Sequence, residues 1–333
     1  MTVKYKSVVI TERGGPEKLQ IVEKELVPPS EGETRIKILT AAVVQDDIAT
    51  RVGNRPILPK PPFVPGYACL GVVDSVGENV SDVSVGDQVA ALTNFGSHAE
   101  YIYWKASGLV HVPENLDPAK AVTLILNYLV AYQTLHRVAK VKPGDKILIV
   151  GASGGCGTAY LQLGKLAGLK MYGLASSSKH DVLKEYDTIP IDYRTQDFVQ
   201  VIREMEPGGL DYVFNGMADE YFKPCLAVLR RGGVLVHYGA PQSFARLWVL
   251  VTKLLVNNLL PNGKKIEGYG THRLRTDLFK EDWATLFKLL EDGKIDPIIA
   301  AKYPILEARK ANELLESGQV IGNLVLVSPE IIR

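Results

Sequence analysis

The chain has 333 residues, 46% of them hydrophobic, and carries 38 Lys and Arg against 37 Asp and Glu, a net charge of +1. That length can bury a large core and suggests two domains, while the balanced charge gives no electrostatic reason to expect nucleic acid or an anionic membrane as partner. Cys69, Cys156 and Cys225 are scattered and odd in number, so no disulfide framework follows.

The N-terminal MTVKYKSVVITERGG reads as a polar lead-in and a short strand rather than a signal peptide, so a reducing cytoplasm is the expected location. Up to about residue 124, short alternating or β-branched runs (34–39, 70–76, 88–92, 100–104) are broken by Gly and Pro, the pattern of a β-rich domain. From about Asn127 the pattern becomes strand and helix in alternation, with strands expected at 146–150, 170–175, 188–191, 210–214, 233–238 and 264–268. Six strands with crossover helices imply an α/β fold with a doubly wound parallel sheet. The most apolar window, 244–260, is interrupted by Arg246, Lys253, Asn257 and Asn258 and is too short and polar to span a bilayer. As a helix it either lines an apolar pocket or serves as core or subunit interface. Beyond Gly270 a helix (about 276–291), a strand, a helix (about 306–316) and a strand (323–327) are expected. This tail is assigned back to the first domain, giving 1–124 plus 269–333 and 125–268.

Within the second domain KILIV, GASGGCG and TAYLQLGKLAG place a glycine-rich turn between a buried strand and a helix. This is the context a dinucleotide site requires. Gly151 permits the tight turn, Gly154 lets backbone approach a pyrophosphate, and Gly157 lets the helix pack closely on the strand. The helix N-terminus then faces the phosphates. About 20 residues further on, where an NAD site places an acid, stand Ser176, Ser177, Ser178, Lys179 and His180. Hydroxyls and a cation attract a 2′-phosphate, so NADPH is the expected cofactor.

Gly66-Tyr67-Ala68-Cys69-Leu70-Gly71, followed by Gly77 and Val80, reproduces the glycine spacing of the medium-chain dehydrogenase/reductase signature. Zinc-dependent members carry His and Glu where this chain has Tyr67 and Ala68. Residues 41–53, AAVVQDDIATRVG, resemble their cysteine-opened segment but hold no cysteine, and no four-cysteine cluster lies between 85 and 115. The chain therefore resembles the zinc-independent quinone oxidoreductase branch, and no metal ligand is assigned. The likeness extends over the whole chain, including RRGGVLVHYGA and the closing IGNLVLV, and LNYLVAY resembles the vesicle-associated branch of the family.

The resemblance implies a GroES-like first domain and a Rossmann second domain. It implies cofactor contacts at Gly154, Gly155, Cys156 and Gly157, at Ser177, Lys179 and Tyr193 around the 2′-phosphate, at Asn215, Tyr238 and Gly239 on later strand ends, and at Asn323. It further implies a homodimer paired through the sixth strand. Two polar groups of relatives are replaced by Val44 and Val130, while Asp47 and Asn127 remain.

Without a Lewis acid, a ketone is a poor hydride acceptor, because its full alkoxide needs stabilising. A quinone or an α,β-unsaturated carbonyl spreads the charge over a conjugated enolate. Tyr67 is the first candidate donor to that oxygen, with Asp47 orienting a neighbour and Asn127 a further catalytic candidate. Cys156, at a helix start that favours thiolate, is expected to be a small packing residue. Three functions are consistent with these residues: an NADPH-dependent quinone or enone reductase, an enoyl reductase of a lipid or polyketide pathway with a carrier-protein partner, and a non-catalytic NADPH-binding sensor or membrane-associated protein.

Overall fold

A computed structural model describes residues 3–217, 219–271 and 276–331, and the chain divides into two compact units, 1–126 with 283–333 and 127–282. In the first unit, strand Glu33–Val43 is the hub of a mostly antiparallel, GroES-like sheet. It pairs with Ala68–Val76, with Tyr101–Lys105 and with the last strand, Asn323–Val327. Leu324 lies opposite Val43 and Val327 opposite Thr40. Alternate residues of these strands, among them Ile36, Ile38, Val73, Val89, Leu324 and Leu326, meet in one core. The C-terminal strand therefore completes the sheet of the N-terminal domain, which is why that domain is discontinuous.

The second unit holds six parallel strands in the order Thr188–Asp192, Lys170–Ala175, Lys146–Val150, Leu210–Asn215, Leu229–His237, Lys265–Gly268. The order reverses between the third and fourth of these. Open parallel sheets bind ligands at that point, beyond the carboxyl ends of the strands. Ile147, Leu148 and Ile149 are fully buried, as the near-continuous apolar run of a central strand requires.

The structure departs from the sequence expectations in two places. The fifth strand, expected at 233–238, spans Leu229–His237, with a register break between Leu210 and Tyr212 of its neighbour that passes over 230–233. Residues 269–282 group with the second unit instead of the first. The Tyr269 hydroxyl donates to Gln133 Oε1 (2.8 Å), Gln133 Nε2 donates to Asp282 Oδ2 (2.6 Å), and Arg137 Nη2 holds Asp282 Oδ1 (2.7 Å). These long-range bonds carry the boundary into the helix Phe279–Glu291.

The sixth strand lies at the sheet edge, as expected. The Ile266 N–H donates to Asn258 Oδ1 (2.8 Å), its C=O accepts from Asn258 Nδ2 (3.0 Å), and the Lys264 C=O accepts from Asn257 Nδ2 (3.0 Å). Among the described residues no helix is long and apolar enough to cross a membrane.

Candidate active site

The turn after strand Lys146–Val150 is built by backbone. Gly151 sits at φ +77°, a left-handed conformation that favours glycine. A Cβ on Gly157 would overlap the Gly151 carbonyl oxygen and sit 2.5 Å from the Ala152 carbonyl, so helix and turn touch there. Gly154 differs. A Cβ there would meet only the Gly151 oxygen, at an ordinary 3.7 Å. The protein's own packing does not demand glycine at 154, whereas a phosphate approaching the backbone does. Gly154 caps the helix Gly155–Leu166 and offers no side-chain acceptor to its first turn, leaving Gly155 and Cys156 at an end suited to anions. Cys156 Sγ–H donates to Asn127 Oδ1 (3.3 Å), and Asn127 itself lies in a π-helical turn, Leu124–Tyr128.

At the ends of the two adjacent strands the side chains of Ser177, Lys179 and Arg194 are collected. Burial, and then the positive charge of Arg194, push Lys179 below the ordinary lysine value. An incoming anion would relieve both. Tyr193 is exposed, with the Arg194 guanidinium 5.8 Å from its ring centre. The loops are tied by Asp192, whose carboxylate accepts the N–H of Arg194 (3.0 Å) and of Ser177 (3.3 Å). Those bonds, the one from Arg194 foremost, hold its pKa below the usual carboxylate value. Asp192 is thus occupied with backbone and does not stand as a free acid for a ribose hydroxyl.

At the switch point itself, Asn215 ends the fourth strand fully buried. Its Oδ1 accepts the Met217 N–H (2.8 Å), and its Nδ2 has no partner among the described residues. A buried, unsatisfied amide donor is costly; at the carboxyl end of a central strand it fits an acceptor on a bound ligand. Tyr238 lays its ring against Gly216, where a Cβ would come within 2.7 Å of ring carbon, and a Cβ on Gly239 would lie 2.7 Å from the Gly216 carbonyl oxygen. The glycine turn, the cationic loop and the orphaned Asn215 amide together fit a phosphorylated dinucleotide.

The first unit contributes a different construction. Asp47, on helix Gln45–Val52, accepts the Val44 N–H (2.9 Å) and reaches across to the Gly66 N–H (3.1 Å). Burial raises its pKa despite His98 nearby. Gly66, at φ +110°, admits no side chain, since a Cβ would overlap Ser97 Oγ and lie 2.8 Å from the His98 nitrogen. Tyr67 follows directly, its carbonyl held by the Thr93 N–H (2.8 Å) and its hydroxyl 3.4 Å from Thr50 Oγ1. Burial first, then Asp46 and Asp47, push its phenol up to about 12, against Thr50 and Arg55. Tyr67 is therefore a neutral hydrogen-bond donor throughout the physiological range. In the same unit Asn323 donates from Nδ2 to the Ile298 carbonyl (3.1 Å).

Sequence reading named neither Arg194, Asp192 nor Thr50. Arg194 was findable beside Tyr193. Thr50 was findable as the residue one turn past Asp47. Asp192 was not, because its role rests on two backbone donors brought together by the fold.

Two family models match the chain. An alcohol dehydrogenase GroES-like domain covers residues 30–114, and a zinc-binding dehydrogenase domain covers 186–326. The synaptic vesicle membrane protein VAT-1 homolog of Rattus norvegicus is 30% identical over 96% of this chain and 83% of its own length. A 2-haloacrylate reductase of a Burkholderia species is 29% identical over 96% and 98%. The Escherichia coli quinone oxidoreductase, solved in complex with NADPH, superposes with a TM-score of 0.87 at 25% identity, covering 97% of this chain and 99% of that one.

Proposed function

As this chain belongs to the medium-chain dehydrogenase/reductase superfamily, in its zinc-independent quinone oxidoreductase-like branch, we propose that this oxidoreductase uses NADPH to reduce a quinone or an α,β-unsaturated carbonyl. The carrying observation is the pairing of an open glycine turn at Gly154 with Lys179 and Arg194 at the neighbouring strand ends, which suits a dinucleotide bearing a 2′-phosphate. Two relatives, named a quinone oxidoreductase and a 2-haloacrylate reductase, both point to conjugated acceptors.

The zinc implied by one family description does not suit the residues here. Asp47 has both oxygens on backbone N–H groups, the His98 Nε2 faces the Ala42 carbonyl (3.2 Å), and burial pushes the Cys69 thiol up to about 12.

Bound NADPH supplies hydride; the protein supplies position and electrostatics. Gly154, Gly155, Cys156 and Gly157 would hold the diphosphate, Lys179, Arg194, Ser177 and Tyr193 the 2′-phosphate, and Asn215, Tyr238 and Gly239 further parts of the cofactor. Tyr67 keeps its proton and donates a hydrogen bond to the acceptor's oxygen as enolate charge develops there, while Asp47 positions Tyr67 through Gly66. Solvent then delivers the proton. The test is oxidation of NADPH and NADH against a panel of quinones, enals, enones and 2-haloacrylates, with and without exhaustive chelation. Turnover of conjugated acceptors with NADPH, unchanged by chelator, supports the reading; turnover of simple ketones, or loss on chelation, overturns it.

A further inference from the structure

On the premise that the cofactor is NADPH, we propose that Asp192 is a positioning residue that sets the preference for NADPH over NADH. It holds the loop of Ser177 and Lys179 against the loop of Arg194 in the geometry that receives a 2′-phosphate. Charge alone argues the reverse. A carboxylate beside a phosphate site repels the phosphate, and an acid near the ribose is the usual mark of a dinucleotide without one. What the two carboxylate oxygens bond therefore decides the direction of the effect.

Each oxygen serves a different loop. Oδ1 accepts the Arg194 N–H (3.0 Å), and Oδ2 accepts the Ser177 N–H (3.3 Å). Asp192 ends its strand opposite Ala175, the last residue of Lys170–Ala175, so both loops leave the sheet side by side. The first turns at once into Lys179, whose N–H donates to the Ser176 carbonyl (2.9 Å). The second folds back on Asp192. Its carbonyl accepts the N–H groups of Thr195 (3.2 Å) and Gln196 (2.9 Å), and Gln196 Oε1 accepts the Asp192 N–H (2.8 Å). One side chain thus fixes the separation of the backbones that carry Lys179 and Arg194. Those cations repel each other, since Arg194 adds to the burial that lowers Lys179. With the tie removed the loops relax apart, and a phosphate must draw them together on binding; preorganisation removes that cost. The arrangement also keeps Asp192 ionised. The Arg194 N–H foremost, with the N–H and hydroxyl of Ser177, holds its pKa below the usual carboxylate value. Asparagine has a single acceptor oxygen in place of the two and can keep only one of the ties.

Calorimetric titration of NADPH and of NADH into the full chain, with Tm recorded for each preparation, tests this. The parent should bind NADPH the more tightly. Asp192→Asn removes a negative charge and one tie, and NADPH affinity should fall by about tenfold, roughly 1.4 kcal/mol, with NADH held within about twofold. Gln196→Ala, at an exposed position, removes no charge and loosens the same turn. It should weaken NADPH by about threefold and leave NADH within about twofold, and it keeps the test open if Asp192→Asn folds poorly. Unchanged or tighter NADPH binding by Asp192→Asn shows the carboxylate acting by repulsion and overturns the proposal. An equal loss of both cofactors in the two variants marks a purely structural turn and overturns it too. Both outcomes leave a parent that prefers NADPH, so the cofactor reading survives them. A parent that binds the two cofactors equally overturns that reading and the proposal together.

Discussion

The cofactor cradle of the second unit and the Tyr67 cluster of the first are built from different materials. In the cradle the functional groups are mostly main-chain, shaped by glycines within seven consecutive residues, and the strand and helix on either side are contiguous with them. The Tyr67 cluster works through side chains fixed by remote partners: Asp47 bonds Gly66 from nineteen positions away, and Gly66 clears space for Ser97 and His98. Local turns can thus be read from local sequence, whereas a donor aimed by packing cannot. Substitutions in the two regions should accordingly fail in different ways, the one losing cofactor affinity and the other losing turnover.

The sharpest break is expected at Tyr67. Tyr67→Phe keeps the ring and removes the donor, which should lower turnover on the best acceptor by about 100- to 1000-fold with NADPH affinity unchanged. Steady-state rates and a cofactor titration on one preparation decide it. Turnover within about threefold of the parent, less than roughly 1 kcal/mol, removes Tyr67 from the chemistry.

In the cradle, Lys179→Ala should weaken NADPH by about 10- to 150-fold, corresponding to roughly 1.5–3 kcal/mol for a charged hydrogen bond, and leave NADH nearly untouched. Equal losses for both cofactors refute the assignment to the 2′-phosphate.

Two glycines three residues apart sharpen the distinction within the cradle itself. Gly157→Ala places a Cβ against backbone and should cost about 1–3 kcal/mol of stability, visible as a lowered Tm. Gly154→Ala should leave Tm unchanged and weaken NADPH by about tenfold, roughly 1.4 kcal/mol. If Gly154→Ala lowers Tm instead, the turn is structural there and not a phosphate cradle.

A further effect tests the scaffold under the cradle, at the opposite end of its strands. Glu206 receives Lys146 Nζ (2.5 Å), Lys170 Nζ (2.6 Å) and the Tyr172 hydroxyl (2.7 Å). Burial alone would push its carboxyl up; these bonds outweigh that and hold it at about 2, against an ordinary 4.5. Because the folded value is depressed, the stabilisation is complete above about pH 5 and is lost as pH falls toward 2. Screening by the half-exposed lysines limits it to about 2 kcal/mol. Tm of the parent should therefore fall across that window, while Glu206→Gln should show a lower Tm at neutral pH and a flatter acid limb. Parallel acid limbs would show that Glu206 does not carry the effect.

Much of the fold was legible because its signals are periodic and local. The buried runs 146–150 and 170–175 could only be central strands, and 323–327 carries the same apolar signature. The early start of the fifth strand at Leu229 was not legible because Arg230-Arg231-Gly232-Gly233 lies in a register break between two stretches paired with Leu210–Asn215.

The order of residues by itself determined the parallel sheet, the glycine turn and the identity of the groups beside it, because each depends on neighbours within a turn or a strand length. Tertiary structure alone decided that Asp47 serves the backbone of Gly66, that Asp192 ties Ser177 to Arg194, and that residues 269–282 join the second unit through Gln133 and Asp282. It also decided that the helix Phe244–Leu259 turns Phe244, Trp248 and Leu255 outward. These outcomes rest on contacts between residues far apart in the chain, whose energies exist only once the backbone has closed around them.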